Sequence, residues 1–430
     1  MSVDFSIITM RRDDAPTSFG RQKVLRALVE ELPAIGCAPH WITVRQLKSR
    51  VLGLCFGSLR WIGHLLSGNA LPLQSILALQ GRVELPDVPR VKADNGAPSP
   101  IVYIDGIRLA CCGDEIRRKV QGRLVIDFDD LMSRRVGRML RNSEALSFGA
   151  FSSLLPAFAQ KMVQRLAPLQ RFLLRLEKHL LRRAEIRAAR TADAIVFASS
   201  YELRLFQRFL RRFAPPPKAK FLVFGPSSAT GQAIAAAIIE SRPAPEDLRF
   251  IFIGSDTLEQ NRVAIQELVE LSREGALALP TYIYGRMMRT YETSGDLVFC
   301  GFAESLEQVY RPGSILLLAR SVRGGIKTKI LEAFEHGVPT IGMPSAFEGF
   351  EGEYPWRVDE AHLRQLVGDR AALRETYQKA VSVGSEIFLR QFSRQHYARA
   401  LSDYVHKRTG PTEQASSGSA NRNKLAASLG

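Results

Sequence analysis

The stretch from Gly324 to Ser345, Gly-Gly-Ile-Lys-Thr-Lys-Ile-Leu-Glu-Ala-Phe-Glu-His-Gly-Val-Pro-Thr-Ile-Gly-Met-Pro-Ser, limits what this chain can fold into more than any other part of it. An apolar run, Ile315 to Leu318, lies a few residues before it, and a second, Val338 to Ile341, follows Gly337. The order is strand, glycine turn, helix, glycine stop, strand, which is a βαβ unit. Gly324 and Gly325 permit close backbone approach to a ligand, and the first N–H groups of the helix have no partners within it. That end therefore suits an anion such as a diphosphate. Lys327 and Lys329 add positive charge beside it. Ile326, Ile330, Leu331 and Phe334 share one apolar helical face, whereas Glu332 lies off it with no local structural demand. A carboxylate beside a phosphate site matches the paired hydroxyls of a ribose.

The rest of the chain alternates strand and helix in the same way. Phe5 to Met10 reads as a first strand, followed by a turn at Ser18-Phe19-Gly20 and a helix from about Arg21 to Leu32. Leu47 to Leu66 reads as a helix with one buried face. Further strands are expected at Trp41–Val44, Ile101–Ile104, Leu124–Phe128, Ala194–Ala198, Lys220–Phe224, Phe250–Ile253, Tyr282–Tyr284 and Leu297–Cys300. The Asp127-Phe128-Asp129-Asp130 cluster ends one of them. Asp129 or Asp130 projects into a cleft and meets an acceptor hydroxyl, as acid/base chemistry requires, or else Asp130 caps the next helix. Three carboxylates together can also hold Mg²⁺, but a lone Asp-x-Asp is weak support for a metal, and none is expected. His336, beside the Gly337 stop, is placed to meet the last helical carbonyls rather than to catalyse.

A chain of 430 residues, 46% hydrophobic and 24% charged, is globular and long enough for two domains. The boundary is expected in the pattern-poor passage after Phe224, giving domains over residues 1–225 and 226–406 and a disordered tail over 407–430. The net charge of +16 points to a polyanionic neighbour, and the lack of any base-reading module argues against nucleic acid. Residues 147–190 form a basic amphipathic segment. Leu155, Phe158, Met162, Leu166, Leu169, Leu173, Leu176 and Leu180 recur at helical spacing among lysines and arginines. It either attaches to an anionic membrane surface or packs its leucines on the domain core. The five cysteines have no metal spacing, and no signal peptide or membrane-spanning run is visible. The expected location is therefore the cytoplasm, with peripheral contact to the inner membrane.

The pattern Gly-Gly-Ile-Lys-x-Lys-x-Leu-Glu-Ala-x-x-x-Gly-x-Pro resembles the donor-site signature of family 4 glycosyltransferases, the retaining nucleotide-sugar enzymes of the two-Rossmann GT-B fold. The resemblance implies an α/β protein whose two Rossmann-like domains face each other across a cleft, with a C-terminal helix crossing back to the first. It implies that Glu332 binds the nucleotide ribose, and that the loop at Gly20 lies at the cleft near donor and acceptor. It also implies that the turns at Gly285 and Gly301-Phe302 flank the nucleobase. Common members carry a second glutamate at the position of Gly324, so the sugar contact is unassigned here. Many members also carry a basic pair where Ser255 and the Gln260-Asn261 region stand, with Arg262 the only nearby cation, which leaves the diphosphate to Lys327, Lys329 and backbone N–H groups.

The implied function is transfer of a sugar from a nucleotide diphosphate donor to a glycan or polyprenyl-linked acceptor in cell-surface polysaccharide synthesis, without a cofactor. Asp129, Asp130 and Lys327 are the candidate catalytic residues. Gly20, Gly254, Ser255, Gly285, Phe302, Gly324, Gly325, Ile326, Lys327, Lys329 and Glu332 are the candidate donor site. Two alternatives share the fold: a catalytically degenerate binding module and a sugar-nucleotide epimerase.

Overall fold

Runs such as Ser-Ile-Leu-Leu-Leu and Arg-Phe-Ile-Phe-Ile have no polar alternation, so both faces of the sheets they build must be covered. The computed structural model describes residues 2–11, 20–44, 50–80, 99–113, 122–141, 167–213, 217–224, 245–257, 259–291, 295–320 and 325–406. Two parallel sheets result. The first contains β1 (Val3–Thr9), β2 (Cys37–Thr43), β3 (Ile101–Asp105), β4 (Arg123–Asp127), β5 (Ala194–Phe197) and β6 (Lys220–Val223), in the order β2-β1-β3-β4-β5-β6. The second contains β7 (Arg249–Ile253), β8 (Thr281–Tyr284), β9 (Leu297–Gly301), β10 (Ser314–Leu318) and β11 (Thr340–Gly342), in the order β11-β10-β7-β8-β9. Every pairing is parallel, with Ile7 beside Tyr103 and Leu316 beside Ile251. Strand order reverses between β1 and β3 and between β7 and β10. Such switch points open crevices at the carboxyl ends of strands, where α/β sheets bind ligands.

The helices that bear on the site are α1 (Gly20–Glu31), α2 (Arg50–Leu66), α3 (Ser75–Leu79), α4 (Met132–Arg141), α5 (Ala167–Thr191) and α6 (Ser200–Phe213) in the first domain. In the second they are α7 (Glu259–Arg273), α8 (Leu306–Val309), α9 (Thr328–Glu335), α10 (Glu360–Val367), α11 (Arg370–Gln391) and α12 (Arg394–His406). One core surrounds the second sheet, around Phe250, Ile315, Leu317 and Phe334, and separate cores cover the two faces of the first. The last helix returns to the first domain as expected. Tyr397, Leu401 and Val405 pack with Phe5 and Leu28, Arg123 donates to the carbonyls of Tyr404 at 3.2 Å and Val405 at 3.1 Å, and Arg394 pairs with Glu31.

Four expectations need correction or restriction. The helix after the glycine turn begins at Thr328, so Ile326 precedes it, and Lys327, in extended conformation, is its N-cap. Helix α2 does not bury its apolar side: Gly53 and Gly57 face the domain, while Leu52, Phe56, Leu59, Ile62, Leu65 and Leu66 face outward. Of the basic amphipathic segment, only α5 lies within the described residues. There Leu174, Leu180 and Leu181 are buried in the core and Arg171, Arg175, His179, Arg182 and Arg183 are exposed. The domain boundary at 225/226 and the tail beyond His406 lie outside the described residues. Among the described residues no helix is long and apolar enough to cross a membrane.

Candidate functional site

At the carboxyl end of the first sheet, Gly20 opens α1 and delivers Arg21 into a nest of carboxylates. Its Nε meets Asp105 at 2.8 Å, Nη2 meets Asp127 at 2.6 Å, and Nη1 lies 3.6 Å from Asp129. Burial opposes the guanidinium charge, but Asp127, Asp129 and Asp105 raise its pKa well above the usual value. The hydroxyl of Tyr103 donates to Asp127, and that of Thr9 donates to Asp105 at 2.6 Å. Asp129 occupies left-handed backbone, φ 60°, held by its own N–H donating to Asp127 Oδ1 at 2.7 Å. Its carboxyl is pushed up to about 6, by withdrawal from bulk water within the cleft and by Asp130, Asp127 and Asp105, against the pull of Arg21.

Asp130 does not cap α4. The N–H groups at that end go to other acids: Leu131 donates to Glu202 at 3.4 Å and Ser133 to Glu185 at 2.9 Å. Asp130 instead accepts from Arg135 at 3.2 Å and faces the second domain. A Cβ on Gly325 would lie 2.5 Å from Asp130 Oδ1, and Gly325 has φ +63°, so no other residue fits this turn without displacement. The loop after β11 also reaches across. Glu348 lies 3.7 Å from Arg134 and 3.8 Å from Arg138, and Glu351 accepts from Ser200 and, at 3.0 Å, from Arg204. A Cβ on Gly349 would meet Ile326 at 2.9 Å and Ser199 at 3.3 Å. Segments far apart in sequence thus close one end of a cleft between the sheets.

The second sheet supplies the opposite wall. Gly254 and Gly285 sit back to back after β7 and β8: Gly254 N–H donates to Tyr284 at 2.8 Å, and Gly285 N–H donates to Gly301 at 2.7 Å. Ser255 donates to the Arg286 carbonyl at 2.7 Å. Asn261 ties this corner to the lysines, since its amide donates to Ser255 at 2.9 Å and its oxygen accepts from Lys329 Nζ at 3.1 Å. Lys329 also stands 4.2 Å above the Phe252 ring centre. Burial and the neighbouring Lys327 lower the Lys329 pKa to about 7, despite Glu332. Burial likewise lowers Lys327 to about 8, with Asp130 and Glu348 resisting and Arg138 and Arg135 assisting. Glu332 lies on the same helix, and Tyr310 donates to it at 3.4 Å. Nδ1 of His336 lies 2.8 Å from the Glu332 carbonyl, the capping contact expected for it. Phe302 is 85% exposed at the end of β9, and Gly324 lies outside the described residues.

Beside Asp129 a cavity of about 170 Å³ opens into the first domain, lined by Gln74, Asp105, Arg108, Met132 and Glu177 among others. Gln74 is buried, and its Oε1 has no hydrogen-bond partner among the described residues. Burial raises Glu177 to about 7, against the N–H groups of Leu73 and Gln74 and the charge of Arg108. Burial also brings Arg108 down to about 10. Of this lining only Asp129 was a sequence candidate. The rest come from loops and helices that acquire a common address only through strand order. The same holds for Arg21, Arg134, Arg138 and Glu348. The carboxylates after β4 do not converge on one point, and among the described residues no group of three acids, histidines or cysteines is arranged to hold a metal ion.

No family model matches the chain, and no curated protein matches it. Solved structures do. Sucrose-phosphate synthase from Thermosynechococcus elongatus is 12% identical with a TM-score of 0.55, covering 99% of this chain and 100% of that one. HepE from Anabaena, solved in complex with UDP and glucose, is 9% identical with a TM-score of 0.53, covering 94% of this chain and 99% of that one. With two parallel sheets, and a likeness that spans nearly the whole length of both chains, the chain has the fold of the GT-B glycosyltransferases.

Proposed function

We propose that this protein is a glycosyltransferase that moves a sugar from a nucleoside diphosphate donor, held by the second domain, to a hydroxyl of an acceptor held by the first. The observation that carries it is the pair Lys327 and Lys329, both shifted toward neutrality by burial, beside a glycine turn and a helix start that face Asp130 across the cleft. Two cations stripped of water favour an anion, and a diphosphate supplies the charge. Glu332 holds the ribose, and the Gly254, Gly285 and Gly301-Phe302 turns flank the base. That HepE was solved with UDP and glucose on this fold supports the choice of ligand.

In the reaction the bond from the sugar C1 to the diphosphate oxygen breaks, and a bond from C1 to the acceptor oxygen forms on the same face, so configuration is retained. Cleavage runs ahead of attack. The electron pair leaves with the diphosphate, where Lys327, Lys329 and the N–H groups at the start of α9 stabilise it, and the acceptor proton passes to a departing phosphate oxygen. Asp129 and Asp130 accept hydrogen bonds from neighbouring hydroxyls of the acceptor and so orient the attacking one, whose single proton goes to the phosphate oxygen. These lysines meet the charge that a metal ion would otherwise meet. The cavity beside Asp129, with its mixed polar and apolar lining, is the place for the acceptor's end group. The cationic face of α5 favours a lipid-linked glycan at the cytoplasmic membrane surface, in the assembly of a cell-surface polysaccharide.

The test is calorimetric titration with UDP and GDP on the wild type and on Glu332→Ala. One nucleotide should bind, and the variant should lose about 1–3 kcal/mol, the range for a hydrogen bond to a charged group. If neither nucleotide binds, the reading as a catalytically degenerate binding module moves ahead. Product analysis without acceptor should show intact sugar nucleotide, since conversion to an epimer would point to the other chemistry of this fold.

A further inference from the structure

Arg171, Arg175, Lys178 and Arg182 follow one another along α5 at steps of four, three and four residues, so they stand in a single row about 16 Å long. The two acids of the helix are buried and already engaged: Glu177 accepts from Leu73 N–H at 2.5 Å, and Glu185 accepts from Ser133 N–H at 2.9 Å. Beside the row, where α5 meets the end of α4, lies a groove of about 560 Å³ lined by Leu140, Arg171, Arg175, Lys178, His179 and Arg182. No acidic side chain lines it, and among the described residues none of the four cations takes part in an ion pair.

Like charges three or four residues apart on a helix repel, and here nothing of the chain offsets them. Burial, with Arg182 and Arg141, lowers the Lys178 pKa, as expected for an ammonium crowded by cations and met by no anion. The fold nevertheless holds these groups in place. A Cβ on Gly137 would stand 3.3 Å from Lys178 Cε and 3.5 Å from its Nζ, so the glycine in α4 leaves the half-buried lysine its path. The Arg182 guanidinium lies over the Phe209 ring, 5.5 Å from its centre. Four cations around one groove call for several negative charges on one ligand, more than a carboxylate carries, and the arginine fork matches phosphate oxygens in pairs. We propose that the groove between α4 and α5 is a second anion site, separate from the donor site, that takes the diphosphate of a phosphate ester between Arg171, Arg175, Lys178 and Arg182. A lipid-linked acceptor and a freely soluble ester can both present that group; only the first of these sources rests on the proposed function.

Inorganic diphosphate is the probe, titrated calorimetrically into the full chain carrying Lys327→Met and Lys329→Met, so that binding at the donor lysines is removed. Onto this background are added either Arg171→Gln, Arg175→Gln and Lys178→Gln in the groove, or Arg208→Gln, Arg211→Gln and Arg212→Gln at exposed positions of α6, which remove the same charge elsewhere. The background should bind one diphosphate, the groove substitutions should weaken it about tenfold or more, and the α6 substitutions should leave it unchanged. Relief of repulsion means that the groove variant should melt no lower than its parent. A variant with only Arg171→Gln and Arg175→Gln, both exposed, repeats the test without touching Lys178. Vesicles of phosphatidylcholine doped with a polyprenyl diphosphate, or with phosphatidylglycerol to equal charge, then separate the sources. Partition that favours the polyprenyl diphosphate and is lost with the groove arginines makes a lipid the source, whereas diphosphate binding without such partition makes it a soluble ester. Three results would overturn the proposal: no diphosphate bound once the donor lysines are replaced, undiminished binding by the groove variant, or an equal loss in the α6 control. UDP and GDP binding to the wild type is read separately, so failure of the groove leaves the donor site standing.

Discussion

Raising the pH should unload the donor site, because its two lysines sit near the edge of their charged range. With a pKa of about 7 in the ligand-free protein, Lys329 is protonated in about half of molecules at pH 7 and in about one per cent at pH 9. Lys327, at about 8, is mostly protonated at pH 7 and about one-tenth protonated at pH 9. A bound diphosphate favours the ammonium form of both, so binding at alkaline pH must take up protons. Each group then costs up to about tenfold in affinity per pH unit above its own pKa. Between pH 7 and pH 9 the two together should weaken UDP or GDP by a few hundredfold, about 3–4 kcal/mol. The nucleotide's own ionisation is nearly complete above pH 7 and contributes little to the fall. Calorimetry at pH 7, 8 and 9, in two buffers of different ionisation enthalpy, counts the protons directly. Uptake should approach two per nucleotide at pH 9, and Lys329→Met should remove about one of them and flatten the profile. Affinity that stays constant from pH 7 to 9 with no buffer dependence would refute the electrostatic account of these lysines.

Two further outcomes follow from the geometry. Arg21→Met leaves Asp127 buried without its cation and Asp105 with only Arg11, 3.6 Å away, in a nest where the guanidinium was only 10% exposed; the variant should lose about 3–5 kcal/mol in chemical denaturation at pH 7. A loss below about 1 kcal/mol would mean that water replaces the arginine. Gly325→Ala must hold φ +63° and press on Asp130; it should lower stability by about 1–2 kcal/mol and weaken nucleotide binding. The Asp130→Ala background should absorb the steric share of that effect, and additive losses in the double-mutant cycle would count against the contact.

Much of the fold is legible residue by residue. The apolar runs of β7, β8 and β10 and the glycines at Gly254, Gly285, Gly325 and Gly337 mark strands and turns because both signals depend on short-range sterics and side-chain period. The Gly325 to Glu332 stretch likewise exposes its purpose locally: a turn that allows close approach, two lysines, and a carboxylate off the apolar face. Local pattern misplaces the helix start, since nothing nearby in sequence shows that Lys327 becomes an extended N-cap.

Local pattern fails more fully at α2, whose apolar spacing is that of a core-facing helix although Gly53 and Gly57 take the inner side. A period tells that a helix has two faces; which face meets the domain depends on what the domain offers it, here the backbone of α3. The same limit hides the nest in which Arg21 meets Asp105 and Asp127, the reach of Glu348 to Arg134 and Arg138, and the lining of the cavity beside Asp129. The sequence by itself determined a two-sheet α/β chain with an anion-binding turn, because strand, turn and helix signals are set by neighbours along the chain. Strand order and the spacing of the two domains decided which charges face each other, and those contacts form only after distant segments have been brought together.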